Sequence, residues 1–186
     1  MKKRLLAIVT LLMTAILLLC GCEAIQSNPA MEPKVNIFDS GVGAANEVFD
    51  TNVEQSRLPT IKIETIEEMD AFHQNAEEHF FTVESEDGRA ELPRYSSFND
   101  TIAAYTAEFF EEKTLVVCYA HTNMSPAIFE VSDISIEGKT LTVRVDTLIM
   151  GVNAGMEGRF IFIELSKKEM KGVTELVVTR DVGELM

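Results

Sequence analysis

The sequence predicts an α+β domain, with two N-terminal helices packed on a small, hairpin-rich antiparallel β-sheet of about five strands. Three observations carry this. Apolar residues recur at spacings of three and four between positions 66 and 109. From position 114 onward the period changes to two, clearest where Leu141, Val143 and Val145 alternate with Thr142, Arg144 and Asp146. Helical segments followed by hairpin-linked strands, rather than interleaved with them, are the order expected of α+β proteins.

The first helix starts at Thr65. Thr65-Ile66-Glu67-Glu68 has the form of a capping box, in which threonine and glutamate satisfy orphan backbone N–H groups. Ile66, Met69, Phe72, Ala76 and Phe80 then form one apolar stripe. A polar turn follows at 84–89. Ser97-Phe98-Asn99-Asp100 offers a second cap, with Ile102, Tyr105 and Phe109 at helical spacing and an end expected near Glu111. Residues 114–120 read as a buried strand. Phe129, Val131, Ile134 and Ile136 mark the next, with a phase slip at Ser132-Asp133 that predicts a bulge or bend. Gly138 sits in a short turn before Leu141, Val143 and Val145, the strongest hairpin signal in the chain. Residues 151–158 (GVNAGMEG) read as a flexible loop, either a contact loop or a long hairpin connection. A strand at 159–165, a turn or helical piece at 166–171 and a last strand at 175–179 complete the domain.

The segment ahead of these elements concerns destination. Lys2, Lys3 and Arg4 precede an apolar run at 5–19, the pattern of an export signal. The run is shorter than the roughly 20 apolar residues that a membrane-crossing helix needs. Its end, Leu19-Cys20-Gly21-Cys22, resembles the lipobox of bacterial lipoproteins, with leucine at −3 and a small residue at −1. The resemblance implies cleavage before Cys22, lipid on Cys22, and a place at the cell membrane on the extracytoplasmic face. The expected organisation is a signal peptide at 1–21, a tether and semi-ordered lead-in at 22–58, and one globular domain at 59–186. Residues 23–36 are polar and carry two prolines, whereas 37–58 hold isolated apolar residues, Ile37, Phe38, Val42, Val48, Phe49 and Val53.

Chemistry is harder to find. The net charge of −14 argues against a nucleic-acid binder, which needs a basic footprint. His73 and His79 are six apart on one helix and so point to different faces, unlike a metal-binding pair. No HExxH, paired CxxC or GxSxG occurs. Gly41-Val42-Gly43 lacks the third glycine of a dinucleotide loop. Cys118, within an apolar run, reads as a small buried hydrophobe. The expectation is therefore no catalytic, cofactor or metal residue, with calcium the least implausible ion. Asp50-Thr51-Asn52 with Glu54, and residues 84–88, cluster oxygen ligands without the twelve-residue EF-hand spacing.

Four stretches carry a family resemblance: IETIEEMDAF at 63–72, YTAEFFEEKTLVVCY at 105–119, IFEVSDISIEGKTLTVRV at 128–145 and RFIFIELSK at 159–167. Together they resemble the C-terminal domain of PrcB-type protease-complex subunits, a recurrent domain of bacterial lipoproteins, over about 60–166. The family's Gly-rich turn before the second strand is replaced here by Thr122-Asn123-Met124-Ser125-Pro126. The resemblance implies a non-catalytic domain that binds or supports a partner protein, in that family an exported protease. The competing expectation is an extracytoplasmic hydrolase, which requires His79 or His121 beside a serine or carboxylate in a cleft. The acidity is regional: residues 64–112 hold 14 acids against Arg89 and Arg94. That pattern suits a solvated helical face, or a docking face for a cationic partner or calcium.

Overall fold

A computed structural model describes residues 31, 33–40, 43, 45–49, 57–81 and 93–184. The signal peptide expected at 1–21, Cys22, Gly41-Val42 and the acidic clusters at 50–54 and 84–88 lie outside the described residues. The chain divides after Met31, and every element below belongs to the unit Glu32–Met186. In order these are β1 (Lys34–Asp39), α1 (Ala45–Val48), β2 (Thr60–Ile63), α2 (Ile66–Phe80), α3 (Pro93–Ile102), α4 (Ala107–Glu112), β3 (Lys113–Glu137), β4 (Thr140–Ser166) and β5 (Glu175–Glu184). No helix among the described residues is long and apolar enough to cross a membrane.

The expectation of two N-terminal helices on a small antiparallel sheet is overturned. Strands β1 and β2 precede the main helices, and β5 pairs with β4 in parallel, so the sheet is mixed. Nor is it small, since β3 and β4 run for 25 and 27 residues. At about 3.3 Å per residue, β3 would reach some 80 Å if straight, whereas a unit of this size has a radius of gyration near ~15 Å. The hairpin must bend. It does so at register shifts between Thr122/Met124, Ser125/Ala127 and Val131/Asp133. The last is the slip that Ser132-Asp133 foretold. The loop expected at 151–158 is instead strand, paired to β3 through Ala154, Glu157 and Gly158. Turn-forming residues there interrupt the register without ending the ladder. The tether reading fails at its far end, because Lys34, Val35 and Asn36 already pair with β4.

Strand order is β1-β4-β3-β2, with β5 on the β1 side of β4 but at its other end. The segment before β2 closes this arrangement. Leu58 N–H donates to Val178 of β5 at 2.7 Å, Arg57 bridges to Thr179, and Tyr119 N–H donates to Pro59 at 3.0 Å. Hydrogen bonds thus run from β3 through β4 and β5 to residues 57–63 and back to β3. Closure of this kind removes exposed strand edges.

Alternation divides the hairpin's side chains between two cores. Leu115, Val117, Tyr119, Phe160 and Phe162 meet Met69, Phe72, Ala76 and Phe80 of α2, with Phe98, Tyr105 and Phe110. Phe160 lies at the centre, with its ring 4.8–6.5 Å from those of Phe49, Phe72, Phe80, Phe81, Phe98, Tyr119 and Phe162. Residues of opposite parity, including Val116, Cys118, Ile161 and Ile163, are equally buried, as are Leu141, Val143 and Val145 farther along the hairpin. Burial on both faces explains why 114–120 reads as an unbroken apolar run.

The helices form where their caps allow. Thr65 caps α2, accepting from Glu68 N–H at 3.2 Å, while Glu68 returns a bond to the N–H of Glu64 at 2.7 Å. The expected second helix is two. Pro93 occupies the first position of α3, a slot with no N–H to lose, so Ser97 sits within the helix rather than at its cap. Thr106 then caps α4, accepting from Phe109 N–H at 3.4 Å. At the other end of the long hairpin, Gly138 and Lys139 form the two-residue turn. Gly138 has φ of 61°, which its lack of a Cβ makes accessible.

Candidate functional site

The larger hollow, about 710 Å³, opens where β1 and β4 meet α3 and the residues leading into α4. Its polar floor is Glu164. Alternation along β4 places Glu164 on the face of Phe160 and Phe162, towards the helices, and its side chain is only 5% exposed. Lys34, its register partner on β1, donates to Oε1 at 2.9 Å, and Lys113, the first residue of β3, donates to Oε2 at 2.9 Å. Asn36 Nδ2 donates to Oε1 at 3.3 Å and reaches the Tyr105 hydroxyl at 3.4 Å. Burial alone would push the Glu164 carboxyl up. The hydrogen bonds and charges of Lys113 and Lys34 outweigh it and hold the group below its ordinary value. Tyr105 is pushed up to about 12, by burial first and also by the neighbouring Glu164 charge, against the Asn36 bond.

A carboxylate held ionised, with both oxygens already engaged, is a poor proton donor and has little lone-pair capacity left for a substrate. Its geometry is that of a clamp joining β1 to β3 and β4. The sequence contained the signal, an acid in register with Phe160 and Phe162 on a strand whose other face is Ile161, Ile163 and Leu165.

A second hollow, about 430 Å³, lies between α2 and the α3–α4 link, and Tyr105 lines both. Here His73 Nε2 donates to Asn99 Oδ1 at 2.8 Å, with Asp70 nearby in the same wall. Its walls contain no serine or cysteine, and the one hydroxyl besides Tyr105, that of Thr106, is engaged in capping α4.

The hydrolase expectation named the other two histidines, and neither lines these hollows. The ring of His121 stacks on Tyr119 at 5.5 Å, and its carbonyl accepts from Arg180 Nη1. Burial, together with the Arg180 charge, lowers its pKa. His79 lies in the last turn of α2, where a Cβ on Gly43 would come within 2.5 Å of its carbonyl oxygen and 2.6 Å of Phe80 Cδ1. Gly43 therefore serves close packing. Cys118 is buried, with Sγ 3.8 Å from the Ile161 carbonyl, and burial pushes the thiol up to about 12. Among the described residues no group of three or more His, Cys, Asp or Glu is placed to hold a metal ion.

Of the large apolar side chains exposed among the described residues, Met124, Ile128, Met150 and Met156 come from the bent middle of the hairpin, and Val182 from β5 beside it. Only Ile37 lies elsewhere. No family of known proteins, no curated protein and no solved structure matches the chain.

Proposed function

We propose that this chain is a membrane-tethered, non-catalytic interaction domain on the outer face of the cell. Lipid on Cys22 holds it there, and it serves as an accessory to another exported protein. The observation that carries the reading is the exposure of Met124, Ile128, Met150 and Met156 along the bent middle of the hairpin, since exposed apolar groups of this kind mark contact surfaces. Methionine suits such a surface because its flexible thioether adapts to a partner's shape. Support for the location comes from the basic start, the apolar run and the Leu19-Cys20-Gly21-Cys22 ending. The resemblance to PrcB-type subunits makes an exported protease the partner to look for first.

Affinity capture of the full chain from detergent-solubilised membranes, with chemical crosslinking, tests the interaction. The expected result is one co-purifying exported protein. Recovery of the bait alone across crosslinkers would refute the reading. Mass spectrometry of the same sample tests the anchor, which predicts an N-terminal peptide that begins at an acylated Cys22.

A further inference from the structure

The far half of the hairpin and β5 form a three-stranded surface in which carboxylates line up across the strands. Glu130 of β3 is the register partner of Asp146 of β4, and Asp146 is the register partner of Asp181 of β5. Side chains in such positions share one face, and like charges directly opposite destabilise a sheet. One cation tempers the row. Arg144 lies two residues along β4, with Nη2 2.8 Å from Asp181 and Nε 3.6 Å from Asp146. Asp133, the register partner of Arg144, adds a fourth carboxylate. Asp146 Oδ1 is the atom that faces Arg144 Nε; it is buried, and no donor among the described residues comes within hydrogen-bond distance of it.

The same face continues into apolar residues. Ile128 stands two positions before Glu130 and pairs with Leu148, and Met150 lies two positions beyond Leu148. Ile128 is 46% exposed and Met150 53%. The opposite parity, Leu141, Val143 and Val145, is buried, so this is the outward face of the sheet. A solvated surface needs no carboxylates in register and no isoleucine beside them. Four carboxylates on neighbouring register positions, two of them paired with one guanidinium, and a border of exposed apolar groups complement a surface of the converse kind.

We propose that this face, with Glu130, Asp146 and Asp181 at its centre and Ile128 and Met150 at its border, docks a partner segment carrying two or more Lys or Arg beside an apolar side chain. The proposal rests on the interaction reading above and names the part of the molecule that does the binding. Opposite charge supplies steering and specificity, and the apolar border supplies burial.

The test places a photo-crosslinking amino acid at Ile128 of the full chain in its native membranes, with Glu108 of α4, on the helical side, as the control position. The expected result is a protein adduct at 128 and none at 108, in which the crosslinked peptide contains clustered Lys or Arg next to an apolar residue. Glu130→Lys is the decisive variant. It sets a lysine opposite Asp146, so the protein should unfold at a higher temperature while adduct yield falls at least about tenfold. A gain in stability with a loss of binding cannot come from misfolding. Unchanged yield in Glu130→Lys, a crosslinked peptide without basic residues, or adducts only with lipid or a second copy would overturn the docking face. Adducts at 108 alone would also overturn it while leaving the interaction reading intact. Absence of any protein adduct at either position would refute both.

Discussion

Phe162 and Glu164 occupy neighbouring inward slots of one strand and meet the same helices with opposite requirements. The phenylalanine needs only apolar contact, whereas the glutamate is tolerable there because Lys34 and Lys113 hold it at 2.9 Å each. Its folded-state pKa is depressed, so the stability it contributes is present in full above the ordinary glutamate value near ~4.3. That contribution is lost as pH falls through the folded value. Glu164→Gln is expected to cost about 1–2 kcal/mol at pH 7, a modest figure because both lysines are substantially exposed. In urea unfolding, the gap between variant and parent should narrow towards pH 3. An unchanged gap would mean that the clamp is steric rather than electrostatic. Gly43→Ala meets a harder obstacle, the backbone of His79, and should lose about 1–3 kcal/mol by thermal unfolding. Phe160→Ala opens the centre of the aromatic cluster and should cost about 3–5 kcal/mol.

Among the elements, those whose signals are local were legible. The Thr65–Glu68 capping box, the stripe Met69-Phe72-Ala76-Phe80 and the turn at Gly138 all rest on contacts within a few residues. Thr65→Ala removes one such contact and should lower stability by about 1 kcal/mol, read as a reduced urea midpoint with an unchanged slope. Spacing misled where a second break restored it. Ile102, Tyr105 and Phe109 keep helical intervals, yet α3 stops at Ile102, Tyr105 N–H turns back to its carbonyl at 3.0 Å, and Thr106 caps anew. The long strands were misread for a related reason. Asn123, Pro126, Gly151 and Gly155 are turn formers, and a single sequence does not distinguish a turn from a bulge inside a continuing ladder. The carboxylate row escaped notice because its members are in register only once three strands have paired.

At the scale of the whole molecule, closure was illegible because it depends on pairings far apart in sequence. Nothing near Lys34 announces that its partner is Glu164, and nothing near Val178 announces Leu58. Such pairings make folding slow, since a long loop must close before the contact rewards it. Pulse-labelled hydrogen exchange during refolding should therefore show protection at 113–120 and 159–166 ahead of protection at 34–39. Simultaneous protection of all three would show that β1 joins the nucleus.

The position of β1 also has a consequence in time. It comes first in chain order among the described strands, and the residues that complete it, 159–164, follow more than a hundred residues later. At synthesis rates of about 5–20 residues per second, β1 waits on the order of ten seconds for its partner to exist. During that interval its backbone groups are unpaired and Lys34 has no Glu164 to hold. The nascent chain, emerging N-terminus first, thus carries an open strand until the fold is nearly complete, and a chain stopped short of residue 159 never closes it.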